Sequence, residues 1–187
     1  WKLDRKSGEQ SIIYAFDQQD VSRVYRWPEF LPDEKTILVS SSSAVADSDS
    51  ILLLYNQETG ISKEIVSNAF NGRFVEQTGH IVFVRGSSLW AVPFDLEQLN
   101  VSGNEVKLID NIQTNGILGS AAYSFSKNGR LVYLPGTDVA VASANLDINV
   151  VSRSGEVLEA IDITGRVGQL AISPDSSQLS YTAYESS

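Results

Sequence analysis

Short runs of alternating apolar and polar residues fill most of the chain, and each run stops at a polar turn. In FLPDEKTILVS (30–40) an apolar lead meets Pro-Asp and two charges, and Ile37-Leu38-Val39 follow directly. Proline presets φ for a turn and the aspartate accepts bonds from nearby backbone amides, so the stretch predicts two strands joined tightly. The pattern returns in YSFSKNGRLVYL (123–134) and LAISPDSSQLSYTAY (170–184), and more weakly in RFVEQTGHIVFV (73–84). Aligned on Asp33, Thr78, Asn128 and Asp175, the copies are 45, 50 and 47 residues apart. A regular period of this size marks a repeat architecture. Asn128-Gly129 between two apolar runs predicts a two-residue turn with positive φ at both positions.

A second unit lies between these hairpins. ILLLYNQETGISKEIV (51–66) and INVVSRSGEVLEAIDI (148–163) are paired strands turning near Gly60 and Gly155. The stretch 87–109 is a longer version with Gly103, and 1–15 fits the same template around Gly8. Each repeat is therefore about four antiparallel strands. No segment of helical length carries an i, i+3, i+4 apolar stripe, and FDLEQLN (94–100) suits one helical turn at most. Serine-rich 40–50 and the stretch 135–147 are expected to be loops joining the second and third strands of a repeat.

Four-stranded units with this period are blades of a β-propeller. A lone four-stranded sheet leaves two apolar faces uncovered, and stacking blades covers each with its neighbour. The expected fold class is all-β, a β-propeller of four-stranded antiparallel blades with about four blade equivalents. The whole chain, 1–187, reads as one partial propeller domain. Its blades fall at 1–22 (outer strands only), 23–68, 69–115, 116–165 and 166–187 (inner strands only).

Composition narrows the chemistry. Of 187 residues 42% are hydrophobic and 20% charged, near the globular norm. The net charge of −9 repels phosphate backbones and anionic lipid, so nucleic acid is not an expected partner. There is no cysteine, which removes disulfides, thiolate nucleophiles and cysteine metal sites together. No apolar stretch approaches the roughly 20 residues of a membrane-spanning helix, and no membrane insertion is expected. The chain opens at Trp1 and holds no methionine, which suggests a trimmed start. The missing signal peptide then carries no information on export.

The turns FLPDEK, FSKNGR and ISPDSS resemble the Ser-Pro-Asp-Gly signature of TolB-type propeller repeats. The stretch 79–112 is similar to TolB-like propellers attached to bacterial serine/threonine kinases. There a Gly-x-φ-φ-φ-x-Arg strand (φ, apolar), here 79–85, precedes a Leu-x-Ala-x-Pro-Phe-Asp strand, here 89–95. Glu34 and Ser176 replace the signature glycine, and Gln77-Thr78 replaces Pro-Asp, which points to a turn device rather than a ligand site. The family usually has six blades, so the resemblance implies a fragment of a six-bladed ring. It also implies a bacterial, non-catalytic protein- or peptide-interaction module, periplasmic or otherwise extracytoplasmic. A metal-dependent propeller lactonase-type hydrolase is one alternative, and a sensor or scaffold domain of a larger protein such as a kinase is another.

Residues able to carry chemistry are few. His80 is the only histidine and reads as a turn or surface residue. No Gly-x-Ser-x-Gly elbow occurs, so no catalytic residue and no enzyme activity are expected. DSDS (47–50) lacks the glycine and distal glutamate of a calcium loop, and neither metal nor cofactor is expected. Trp1, Trp27 and Trp90 read as packing residues between blades. Arg26, Arg73 and Arg166 precede inner-type strands and are the candidate ligand-binding residues at a channel mouth, suited to an acidic peptide. The split terminal blades complete one another within a chain or between two copies, and self-association is the preferred expectation.

Overall fold

The computed structural model describes residues 2–11, 23–43, 49–116, 118–136, 146–152, 154–163 and 166–184. The fold is all-β, with no α-helix among these residues. The chain divides into two compact units, Trp1–Gly72 and Arg73–Ser187.

In the first unit, β1 (Lys2–Leu3) pairs with β2 (Gln10–Ser11). A four-stranded antiparallel sheet follows in chain order: β3 (Arg23–Phe30), β4 (Thr36–Ser43), β5 (Ile51–Asn56) and β6 (Ser62–Ser67). Leu38, Leu52 and Leu54 are buried along its central strands. The serine-rich stretch expected to be loop from Ser40 is strand as far as Ser43. Its backbone is paired on both sides, to Arg23–Arg26 through β3 and to Ile51 and Leu52 through β5. Arg23 Nε also donates to Ser41 Oγ at 2.8 Å. Serine is small enough to be buried between two strands once its backbone is paired, and tertiary context overrides its turn preference.

β7 (Phe70–Val75) begins in the last three residues of the first unit and leads, in the second, into β8 (His80–Arg85) and β9 (Ser88–Asp95). The outer position beside β9 is shared by β10 (Asn100–Val101) and β11 (Val106–Ile109). FDLEQLN makes no helical turn. Asp95 Oδ1 instead accepts from the Glu97 and Gln98 N–H groups, which closes the β9–β10 hairpin. A small hairpin of β12 (Thr114–Asn115) and β13 (Ser120–Ala121) precedes the next sheet. That sheet runs β14 (Tyr123–Phe125), β15 (Leu131–Tyr133), β16 (Leu146–Val151) and β17 (Val157–Ile163), and the pair β18 (Arg166–Ile172) and β19 (Leu179–Tyr184) follows it. Val132, Leu134, Ile148, Val150, Ile163 and Leu170 form one core cluster linking this sheet to β18.

The four aligned turns share a backbone solution. The residue after the alignment point is left-handed in every copy: Glu34 at φ 57°, Gly79 at 64°, Gly129 at 85° and Ser176 at 63°. Asn128 is not left-handed, which corrects the two-residue turn expected there. Gly129 N–H donates to Ser126 O at 3.1 Å and Ser126 N–H to Arg130 O at 2.9 Å. This is a longer turn closed by a single left-handed residue, the other common hairpin solution. The aspartates act as turn devices. Asp33 Oδ1 accepts from the Lys35 and Thr36 N–H groups, and Asp175 Oδ1 accepts from Ser177 N–H and the Ser173 hydroxyl.

Candidate functional site

Cross-strand register places Val82, Ala91 and Val106 side by side on one face of the β8–β9–β11 sheet. His80 and Pro93 continue that face toward the turn. The next sheet opposes it with Phe125, Leu131 and Val151. Between the two walls lies a half-open cleft of about 500 Å³, edged by Thr78, Ser152 and Gly155. Its size and its apolar walls with a few polar groups match those of pockets that take small ligands or peptide side chains.

The outer wall depends on β11, which is short and contains a register shift between Lys107 and Ile109. Its fixing comes from the opposite face. Arg85 forms a bidentate pair with Glu105, with contacts of 2.5 and 3.0 Å. The Arg85 guanidinium also stacks over Phe83 and Trp90, and Lys107 Nζ lies 5.5 Å from the Trp90 ring centre. The hydrogen bond from Arg85 holds the Glu105 carboxyl below the usual range, outweighing partial burial. Asp110 is lowered as well, first by the Ser88 hydroxyl and then by Lys107, whose Nζ is 3.0 Å away. These ties hold β11 against β9 and leave Val106 and Leu108, 58% and 45% exposed, at the cleft rim.

His80 opens β8 and lines the cleft. Its Nδ1 is 2.6 Å from the Thr78 carbonyl oxygen, an acceptor only, so Nδ1 carries the proton. It is a turn-anchored residue that also reaches a concave surface. Among the described residues, no three His, Asp or Glu side chains converge as a metal-binding group. Asp47 lies outside the described residues, and Asp49 accepts from Ser43 N–H and pairs with Arg23. Trp90 lies on the face opposite the cleft, beneath two cations. Trp27 sits in β3 with φ 58°, and Trp1 lies outside the described residues.

The three arginines are placed as follows. Arg26 is half-buried in β3 of the first unit, in register with Ser40. Arg73 is exposed in β7, and Arg166 opens β18, its side chain outside the described residues. Neither Arg26 nor Arg73 is among the described residues that line the cleft. Sequence reasoning passed over the cleft walls, although NEVKLID puts apolar residues on an outer strand that a blade turns to solvent.

No protein-family model matches the chain, and no curated protein matches it. Similarity appears among solved structures. TolB from Acinetobacter baumannii superposes with a TM-score of 0.69 at 14% identity, covering 98% of this chain and 42% of that one. Regucalcin, a calcium-binding protein from Agrobacterium tumefaciens, gives 0.66 at 14% identity, over 96% of this chain and 60% of that one. The β-propeller domain of the trilobed protease from Pyrococcus furiosus, described as having an open velcro topology, gives 0.50 at 15% identity over 87% and 66%. The chain thus spans less than two thirds of the TolB and regucalcin chains it matches. At these identities the likeness concerns fold, and fold alone does not assign function. The fold is a β-propeller of antiparallel blades, of the TolB-like kind.

Proposed function

We propose that this chain is a bacterial, extracytoplasmic, non-catalytic module that binds protein or peptide segments. The observation carrying this reading is the cleft in the second unit, whose walls are apolar and whose rim exposes Val106 and Leu108. A partner's aliphatic or aromatic side chain fits such a space, and rigid sheets supply it without reorganisation. Similarity to TolB supports the reading at the level of fold. Arg26, Arg73 and Arg166 belong to the same proposal as contacts for an acidic segment. Self-association through the incomplete blades at 1–22 and 166–187 belongs to it too, and light scattering over a concentration series reads it directly.

The test is selection of peptides from a random displayed library, followed by anisotropy titration of the selected sequences. Micromolar binding that Val106→Asp and Leu108→Asp reduce at least tenfold supports the cleft. Selected peptides that bind both variants as well as the parent chain place the site elsewhere. Similarity to regucalcin favours one rival, a metal-dependent lactonase-type hydrolase. Calcium titration with a lactone and ester turnover assay decides it: stoichiometric calcium together with turnover sinks the non-catalytic reading.

A further inference from the structure

Among the described residues, three outer strand positions close the larger sheets: β6, the β10–β11 pair and β17, which pairs with β16 alone. An outer edge offers a row of backbone donors and acceptors, a template for pairing with another chain. Two of the three are blunted. β6 reads SKEIVS, carries Lys63 and slips register opposite Leu52 and Leu53. The second is broken between Val101 and Val106, and β11 carries Lys107 and a bulge.

β17 has little of this protection. It is seven residues long, VLEAIDI, without lysine, arginine or proline. From Glu159 to Ile163 its register with β16 is unbroken, the one slip lying opposite Val150 and Val151. Ile161 and Ile163 pack on the core cluster and fix the strand to its sheet. At its exposed start, Val157 and Leu158 are 53% and 50% accessible. The charges along it are all acidic: Glu156 just before the strand, then Glu159 and Asp162. An anchored, apolar edge whose own charges are all carboxylates suits an incoming strand that supplies cations.

We propose that β17 is a docking edge that takes an extended segment of a partner protein, apolar and lysine- or arginine-bearing, as an added strand. Main-chain hydrogen bonds give the affinity, and alternate side chains meet Leu158 and the carboxylates. A second copy of this chain is the poorer occupant. Antiparallel pairing of two β17 edges sets acidic strand against acidic strand, and like charges across a pair destabilise it. This inference rests on the interaction-module reading but not on the cleft.

The test is fluorescence anisotropy with a labelled octapeptide of alternating valine and lysine. Controls are the valine–glutamate analogue and the valine–lysine peptide N-methylated at two consecutive central residues, which removes a donor from each edge. The expected result is saturable binding of the valine–lysine peptide that weakens with salt and falls at least tenfold with the N-methylated peptide. Leu158→Lys and, independently, Glu159→Lys produce the same fall while circular dichroism stays native. Val106→Asp leaves the binding unchanged, which separates this edge from the cleft. Absence of binding, equal binding of the N-methylated peptide, or loss of binding in Val106→Asp overturns the proposal. So does a concentration-dependent mass of the free chain that Leu158→Lys abolishes, which makes a second copy the occupant.

Discussion

The Ser176 hydroxyl donates to Asn128 Oδ1 at 2.5 Å, joining hairpin turns 48 residues apart in sequence. Asn128 Nδ2 returns a bond to the Asp175 carbonyl at 3.2 Å, and Lys127 N–H reaches the Pro174 carbonyl at 3.1 Å. The Ser126 hydroxyl also donates to Asn128 Oδ1. One asparagine therefore ties its own turn and the next one together.

Replacing Asn128 with alanine is expected to cost about 1–2 kcal/mol, since three bonds are lost but their partners regain water. Denaturant titration measures it. A double-mutant cycle with Ser176→Ala should show coupling of roughly 0.5–1 kcal/mol, because the two side chains are in direct contact. Strict additivity would mean the bond contributes nothing in solution.

The left-handed turn position separates two glycine substitutions. Glu34→Gly relieves a strained φ at an exposed site, and the bond that Gln57 Nε2 gives to the Glu34 carbonyl survives. It should stabilise by about 0.5–1 kcal/mol, the left-handed penalty less the added flexibility of glycine. Ser176→Gly relieves the same strain but loses the bond to Asn128, so its midpoint should move little or fall. Gly129→Val runs the other way, placing a β-branched residue at φ 85°, and should cost about 1–3 kcal/mol. Thermal melts of the three variants check the order.

Asp175 sets a pH dependence. The Ser173 hydroxyl first, then the Ser177 N–H and hydroxyl, lower its pKa from 3.8 to about 2. A carboxyl depressed in the folded state contributes stability above its unfolded value and loses it as pH falls through the folded one. Stability should therefore decline between about pH 4 and pH 2, and Asp175→Asn should flatten that part of the profile. A parallel decline in the variant assigns the effect to other carboxylates.

Gly72→Ala tests packing. A Cβ at Gly72 would stand 2.8 and 2.9 Å from the two Leu52 methyl groups, and Leu52 is fully buried. Overpacking of this kind costs about 1–3 kcal/mol. Leu52→Val in the same chain should recover part of the loss, and strictly additive costs from denaturant titration would refute the contact.

Much of the fold was legible because its signal is local. Pro-Asp at Pro32-Asp33 and Asn-Gly at Asn128-Gly129 punctuate apolar runs, and their spacing repeats. The serines of β4 were misread because local preference says turn, whereas pairing on both sides is decided by distant residues. At Asn128 local chemistry named a turn but not its type. The cleft was illegible for a further reason. Its walls combine Ala91 and Val106 with Leu131 and Val151, and only cross-strand register tells which of them face one way.

The interruption between β10 and β11 has a dynamic consequence. A continuous outer strand leaves its sheet in one cooperative event, whereas a broken one frays in pieces. Amide hydrogens around Gly103 and Asn104 should exchange with solvent soonest in this sheet and mark its first point of proteolytic nicking. Those of Val82 and Phe83, held between β7 and β9, should persist longest. The blade then opens from its rim inward, and the cleft wall built on β11 softens before the strands that carry it.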